Sequence, residues 1–268
     1  MFLKRKYSFK ISMIGAGNVA SLLAPTLESA GHVIKEVYSR HKKNAQALCD
    51  QLYEAEVNYN LDFSRSTASI FFIAVPDDRI GEVVEQIILP AASILIHTSG
   101  SMPMQVLKGK DHVSLGVFYP LQTFTKNKAV HFQDIPLLIE ASDASTLKTI
   151  KILAESISKQ VQEMSSEQRA ILHIAAVFSC NFTNHLILLA EELTDNHQID
   201  FDLLKPLIAE TVNKSLNIGP RKAQTGPAAR RDIETLQRHT HFLKGEDKRL
   251  AKLYQLLSDS IMGDGGQK

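Results

Sequence analysis

The chain has 268 residues, 44% apolar and 22% charged, with a formal net charge of +1. This length and composition suit a soluble protein of one large or two modest domains. The balanced charge offers no basic surface for nucleic acid or an anionic membrane. Cys49 and Cys180 stand far apart without a C-x-x-C context, so neither a disulfide framework nor a zinc site is expected. MFLKRKYSFK is basic but lacks the apolar core of a secretory signal. Runs such as 69–75 and 94–96 are too short to span a bilayer, which points to a cytoplasmic protein.

In chain order, residues 9–14 read as a strand, followed by a glycine turn and a helix to about Ala30. Gly31 is placed to end that helix in the left-handed conformation. Residues 32–38 form the next strand and 42–52 a helix. SIFFIAV at 69–75 is continuously apolar, as expected of a strand covered on both faces in a parallel sheet. A helix over 77–88 follows, its start capped by an Asp. Strands at 93–97, 113–118 and 135–140, a helix at 144–158 and a short strand at 160–164 complete an alternating pattern. That alternation predicts a doubly wound α/β sheet with its helix-opening loops on one edge.

After residue 165 the pattern is helical only. Ser165-Ser166-Glu167-Gln168 supplies a hydroxyl cap and an early acidic residue for a helix reaching about Thr194. Further helices are expected at 201–217, with Pro206 in the first turn, at 228–242 and at 247–261. A Gly/Pro-rich loop lies at 219–227, and the tail 263–268 reads as disordered. The division is therefore 1–164, a doubly wound nucleotide-binding domain, and 165–268, an all-helical domain.

The glycine turn is Gly15-Ala16-Gly17-Asn18-Val19-Ala20. Gly15 permits the tight turn, Gly17 lets backbone approach a pyrophosphate, and Ala20 is small enough for the helix to pack on the strand. The end of the second strand distinguishes the dinucleotides. An acidic residue there accepts from a ribose 2′-OH, whereas a 2′-phosphate wants Arg and hydroxyl donors. This chain has Ser39 and Arg40 at that point, followed by His41, Lys42 and Lys43, and Glu36 falls inside the strand. The pattern favours NADP(H), against the alternative of a solvated basic turn.

Other strand ends add candidates. Val75 and Pro76 are placed to line the nicotinamide ribose, while Asp77 and Asp78 read as helix caps. His97-Thr98-Ser99-Gly100-Ser101 either polarises a substrate carbonyl and holds a nicotinamide amide through His97 and Ser99, or forms a hydrogen-bonded turn. Tyr119 and Gln122 are within reach of the same cleft. On the long helix, His173 and Asn181 are eight residues apart, about 80° around an α-helix, and share a broad face. In the loop before the third helix of the helical domain and at its start, Thr225, Arg230 and Asp232 either bind an anionic substrate group or brace two helices.

Taken together, GAGNVA, AVPDDRI, HTSGS, YPLQTF, the NF at 181 and TGPAARRD resemble a family of Rossmann-like proteins described as NADP oxidoreductases, with a C-terminal helical domain of unknown function. The resemblance spans nearly the whole chain. More distantly the architecture is similar to pyrroline-5-carboxylate reductase, ketopantoate reductase and the 6-phosphogluconate dehydrogenase group. It implies NADP(H) at Gly15, Gly17, Asn18, Ser39 and Arg40 but no particular substrate; a small-molecule substrate is expected, and the distant relatives' dimerisation through their helices suggests a homodimer here. From the residues themselves, His97, His173 and Asn181 are the catalytic candidates, with His239 a further imidazole for acid–base work. One departure stands out. Where the related hydroxyacid dehydrogenases carry a Lys four residues before the helix Asn, this chain has Val177. The expected activity is reduction of a small carbonyl or imine, and the rival is an NADP(H)-binding sensor without turnover.

Overall fold

The computed structural model describes residues 7–125 and 130–264. The basic start MFLKRK and residues 265–268 of the tail therefore lie outside the described residues. Two compact units divide the chain at Met1–His185 and Leu186–Lys268. The strands of the first unit are β1 (Lys10–Ile14), β2 (Val33–Tyr38), β3 (Glu56–Asn58), β4 (Ile70–Ile73), β5 (Ile94–His97), β6 (Ser114–Pro120), β7 (Leu137–Ala141) and β8 (Val161–Glu163). They form one sheet of order β3-β2-β1-β4-β5-β6-β7-β8. The chain order reverses between β1 and β4, and in doubly wound sheets the ligand crevice opens at that reversal.

Side chains alternate between the two faces of the sheet. On one face Ile11, Met13, Ile70, Phe72, Ile96 and Phe118 pack with Leu23 and Leu27 of α1 (Asn18–Ser29). Leu48 of α2 (Lys42–Cys49) and Ile150 and Leu153 of α4 (Ala144–Glu155) join the same cluster. On the other face Ile14, Phe71, Ile73 and Leu95 pack with Ile80, Val83 and Val84 of α3 (Ile80–Gln86). Burial on both faces explains why β4 shows no polar alternation. Gly31 ends α1 at φ +88, and the His32 N–H donates to the Leu27 carbonyl, as its placement predicts.

The sheet is not wholly parallel. β7 runs antiparallel to β6, and β8 is parallel to β7. No crossover helix separates β6 from β7 among the described residues, and parallel pairing requires one. The short strand β3 was not expected from the sequence, because three residues carry too little pattern. Residues 77–88 divide into a 3₁₀ turn, Asp77–Arg79, and α3. Neither Asp caps that start. Asp77 accepts from the Ser101 hydroxyl and Asp78 pairs with Arg79.

Strands stop at β8, near the predicted boundary, and a continuous helical run from Ser166 to Asn196 follows. It comprises α5 (Ser166–Ala176), a π-helical turn (Val177–Phe182) and α6 (Thr183–Asn196). The first compact unit extends into this run because α5 is clasped to the sheet. Ser165 and Gln168 form a capping box. Arg169, 1% exposed, donates to Glu140 at 2.6 Å and to the Met102 carbonyl at 2.7 Å. Ser166 donates to Glu140 and accepts from the Met104 N–H. Among the described residues this run is the one helix long and apolar enough to cross a membrane by length and composition. The sequence reading missed it because polar side chains interrupt the apolar ones.

In the second unit, α7 (Lys205–Ile218), α8 (Pro220–Ala223), α9 (Ile233–Glu246) and α10 (Lys248–Asp264) follow α6. Pro206 sits in the first turn of α7, and α8 lies within the segment expected to be loop. α10 continues through Gly263 to Asp264, so the start of the predicted disordered tail is helical. Few side chains here are buried, Leu236, Leu243 and Ala251 among them, while Leu203, Leu207 and Leu216 are exposed.

Removing Arg169 leaves the Glu140 carboxylate without its charged partner in a poorly solvated place. Arg169→Ala is expected to lower the unfolding free energy by about 3 kcal/mol, read by urea denaturation. A loss below about 0.5 kcal/mol, the range of neutral surface changes, would show that the clasp is not structural.

Candidate active site

Register aligns the carboxyl ends of four parallel strands, with Ile14 beside Ile73, Ile73 beside His97, and His97 beside Val117. The loops leaving these ends are the glycine turn, residues 74–77, residues 97–101 and the end of β6.

Gly15 has φ +116, and a Cβ there would collide with the Ala74 carbonyl. Its N–H donates to the Tyr38 carbonyl at 2.7 Å, tying the turn to the end of β2. A Cβ on Gly17 would meet nothing within 4 Å, so this turn borders open space. Gly17 is also the N-cap of α1 and supplies no side-chain cap, which leaves the first N–H groups of a 12-residue helix turned to that space. This arrangement suits a phosphate. The Asn18 side chain braces the next loop by donating to the Phe124 carbonyl at 3.1 Å. Val19 faces inward against the core.

A cavity of about 460 Å³ continues from the glycine turn past the end of β2. Gly15, Gly17, Ser39, Arg40, Val75 and Pro76 all line it, so six of the sequence-predicted binding residues come together. Arg79 also lines it but is tied to Asp78 and Glu82. Arg40 makes no ion pair among the described residues. Glu36 accepts from Ser12 and Ser66, the latter at 2.8 Å. The acidic residue nearest the strand end is thereby held within the fold, and cationic and hydroxyl donors remain at the cavity.

The 97–101 loop is first of all a turn. The N–H groups of Ser101 and Met102 donate to Ser99 Oγ at 3.2 and 3.0 Å, and the Ser99 N–H donates to His97 Nδ1 at 3.1 Å. His97 is 0% exposed. Burial, with the nearby Arg169 charge next, pushes its pKa down from 6.5 to about 4. Burial thus disfavours the charged ring, and His97 Nδ1 organises the loop by accepting from the Ser99 N–H. A neighbouring pair was less visible in the sequence. Tyr119 Oη and His173 Nδ1 are hydrogen-bonded at 3.1 Å. Burial raises the pKa of Tyr119, with Asp77 adding and Arg169 opposing.

Asn181 is exposed on the π-helical turn. That turn changes the helical phase, so the 3.6-residue geometry that put Asn181 and His173 on one face does not hold across it. Thr225, Arg230 and Asp232 lie in the second unit. Thr225 and Arg230 are exposed, and Asp232 caps α9 by accepting from the Thr235 N–H, which holds its carboxylate below the usual range. No Asp232 ion pair forms among the described residues, so the predicted brace is replaced by a cap. Arg169 was missed altogether. Its signal was a lone arginine on the first turn of an otherwise apolar helix.

Residues 4–114 match the Rossmann-like domain family, and residues 135–261 match the domain of unknown function DUF2520. A candidate NADP oxidoreductase from Bacteroides fragilis is 40% identical over 96% of this chain and 98% of its own, with a TM-score of 0.87. A reductive aminase from Aspergillus terreus, in complex with NADPH and ethyl levulinate, has a TM-score of 0.72 at 13% identity, covering 97% of this chain and 95% of that one. An imine reductase variant from Myxococcus stipitatus, in complex with NAD+, has a TM-score of 0.62 at 14% identity, covering 97% and 96%. These last two share the fold. No curated protein matches this chain in sequence.

The neutral His97 makes a pH prediction. Its folded pKa lies below its ordinary value, so the unfolded chain binds the proton first as pH falls. Its contribution is complete above pH 6.5 and is lost progressively towards about pH 4, up to on the order of 3 kcal/mol. Chemical denaturation across that window is expected to show a shallower acid loss in His97→Asn than in the wild type. Equal slopes would contradict the assignment.

Proposed function

The chain belongs to the family that joins a Rossmann-like domain to a DUF2520 domain, and from that premise we propose that it is an NADP(H)-dependent oxidoreductase reducing a small carbonyl or imine. The observation that carries this reading is the cavity in which the bare glycine turn meets Ser39 and Arg40 while Glu36 is turned away. Gly15, Gly17 and the N–H of Asn18 would hold the diphosphate, with Val19 supporting the helix start. Ser39 and Arg40 would hold the 2′-phosphate through a hydroxyl and a charge-assisted hydrogen bond. Val75 and Pro76 would border the path towards the loop that Ser99 shapes. A bound NADPH supplies the hydride, and the protein supplies position and electrostatics.

On the same reading His173 and Asn181 serve the reaction, and Thr225, Arg230 and Asp232 remain candidates for an anionic substrate group on their chemistry alone. On this reading we also propose a cytoplasmic protein with a small-molecule substrate and without nucleic-acid or membrane partners, the apolar run 166–196 meeting a second copy and not a bilayer. The rival, an NADP(H) sensor without turnover, is favoured by Val177, which stands where the related dehydrogenases carry a Lys.

We also propose that a second copy covers the apolar side chains Ile171, Ile174, Phe178 and Phe182, which are exposed in the single chain, the rings of Phe178 and Phe182 meeting edge to face. Sedimentation equilibrium is expected to show a dimer, weakened at least tenfold by Phe178→Asp. A wild-type monomer at micromolar concentration would contradict this.

The cofactor is tested by thermal shift. NADPH at 100 times its Kd stabilises the native state by about 2.7 kcal/mol, and NADH at the same concentration is expected to shift the melting temperature less. Arg40→Asp is expected to abolish that preference, because a carboxylate repels the 2′-phosphate. Equal shifts with both dinucleotides in the wild type would remove the phosphate site.

A further inference from the structure

We infer that Tyr119 is the proton donor of the reaction, with His173 the positioning residue behind it, and that the substrate is a neutral carbonyl compound reduced to an alcohol. The inference rests on the oxidoreductase reading above and narrows its substrate class.

Three observations carry it. The first is place. Tyr119 lies on β6 two residues beyond Val117, the partner of His97, so it stands with the 97–101 loop at the edge where ligands of doubly wound sheets bind. The second is the construction around it. A Cβ added to Gly100 would fall 2.6 Å from Tyr119 Cζ, 2.7 Å from His173 Nδ1 and 2.9 Å from Tyr119 Oη. The loop backbone is therefore pressed against the Tyr–His hydrogen bond, and His97 and Ser99 hold the loop in that shape. The third is that the pair is not needed as glue. Arg169, Ser166 and Glu140 already fasten α5 to the sheet. Tyr119 and His173 are only partly buried, whereas a purely structural pair would gain from being sealed. The π-helical turn begins four residues after His173, and such turns recur at functional sites.

Asp77, Arg169 and Cys180 are the other titratable groups facing Tyr119. Their sum and the burial keep the phenol protonated through neutral pH, the state a donor needs. In the step, the hydride from NADPH bonds to the carbonyl carbon, and the C=O π pair moves to oxygen. That oxygen takes the proton from Tyr119 Oη. The phenolate takes a proton from His173 Nδ1 as His173 Nε2 takes one from solvent, so the ring changes tautomer and stays neutral. The net change is carbonyl plus NADPH plus H+ to alcohol plus NADP+. An iminium ion already carries its positive charge and needs no such donor, so a built donor points to the neutral carbonyl.

The test compares two probes with NADPH. Ethyl levulinate is a neutral ketone, and an N-methyl cyclic iminium salt is permanently charged and accepts hydride without a proton. Tyr119→Phe is expected to lose about 100-fold in kcat on the ketone, to change less than about twofold on any iminium turnover, and to keep the NADPH thermal shift of the wild type. Gly100→Ala, which displaces the pair without removing either group, should follow Tyr119→Phe. An independent readout is the alkaline titration of the phenol by near-ultraviolet absorbance. One phenolate component titrating above 10 should vanish in Tyr119→Phe and change midpoint in His173→Gln. An undiminished ketone rate in Tyr119→Phe, or equal losses on both probes, overturns the assignment and leaves the oxidoreductase reading standing. So does a wild type that reduces the iminium alone. A wild type that binds NADPH and reduces neither probe overturns both.

Discussion

The constraint on which the site depends is the contact of Gly15 with the end of β4. Its backbone is left-handed, and the space a Cβ would need is filled by the Ala74 carbonyl. Only glycine fits there without strain. This approach turns the chain sharply out of β1 and into α1, at the point where the strand order reverses. The first N–H groups of α1 are thereby left uncapped beside open space at Gly17. Both faces of the sheet are buried, so the strand ends are fixed by the core and the loops inherit that rigidity.

Electrostatics then divides the crevice. At the β2 end, Ser12 and Ser66 bind Glu36 and leave Arg40 facing the cavity. At the β5 end, burial holds His97 neutral, and its Nδ1 shapes the 97–101 loop. The same loop lies on the Tyr119–His173 pair. The basic end of the crevice suits an extra phosphate. Further along the same sheet edge, the Tyr119 phenol is protonated and partly desolvated, and a positioned donor is effective in such a place.

Much of this was legible in the sequence because it depends on local rules. The glycine turn, the left-handed Gly31, the buried run of β4 and the Ser39–Arg40 pair each follow from residue types at fixed spacing. What was not legible depends on residues distant in sequence. The hydrogen bond of Glu140 to Arg169 joins positions 29 residues apart, and that of Tyr119 to His173 joins positions 54 apart. The π-helical turn defeated a face assignment made with 3.6 residues per turn, because nothing in VFSCNF marks the extra residue. His97 is visible in the sequence as an imidazole at a strand end, but its complete burial is set by the packed sheet around it. Residue types alone leave Asp232 either at a substrate or in a brace, and in the structure it caps a helix, the commoner use of an Asp before one.

The central claim, that the crevice takes a dinucleotide with its 2′-phosphate on Ser39 and Arg40, is tested most directly by a crystal structure of the protein soaked with NADP+. The 2′-phosphate is expected within hydrogen-bond distance of both residues, the diphosphate against the N–H groups at the start of α1, and the nicotinamide on the Tyr119 side. A dinucleotide bound in the reverse direction, or its 2′-phosphate in solvent away from Arg40, would contradict it.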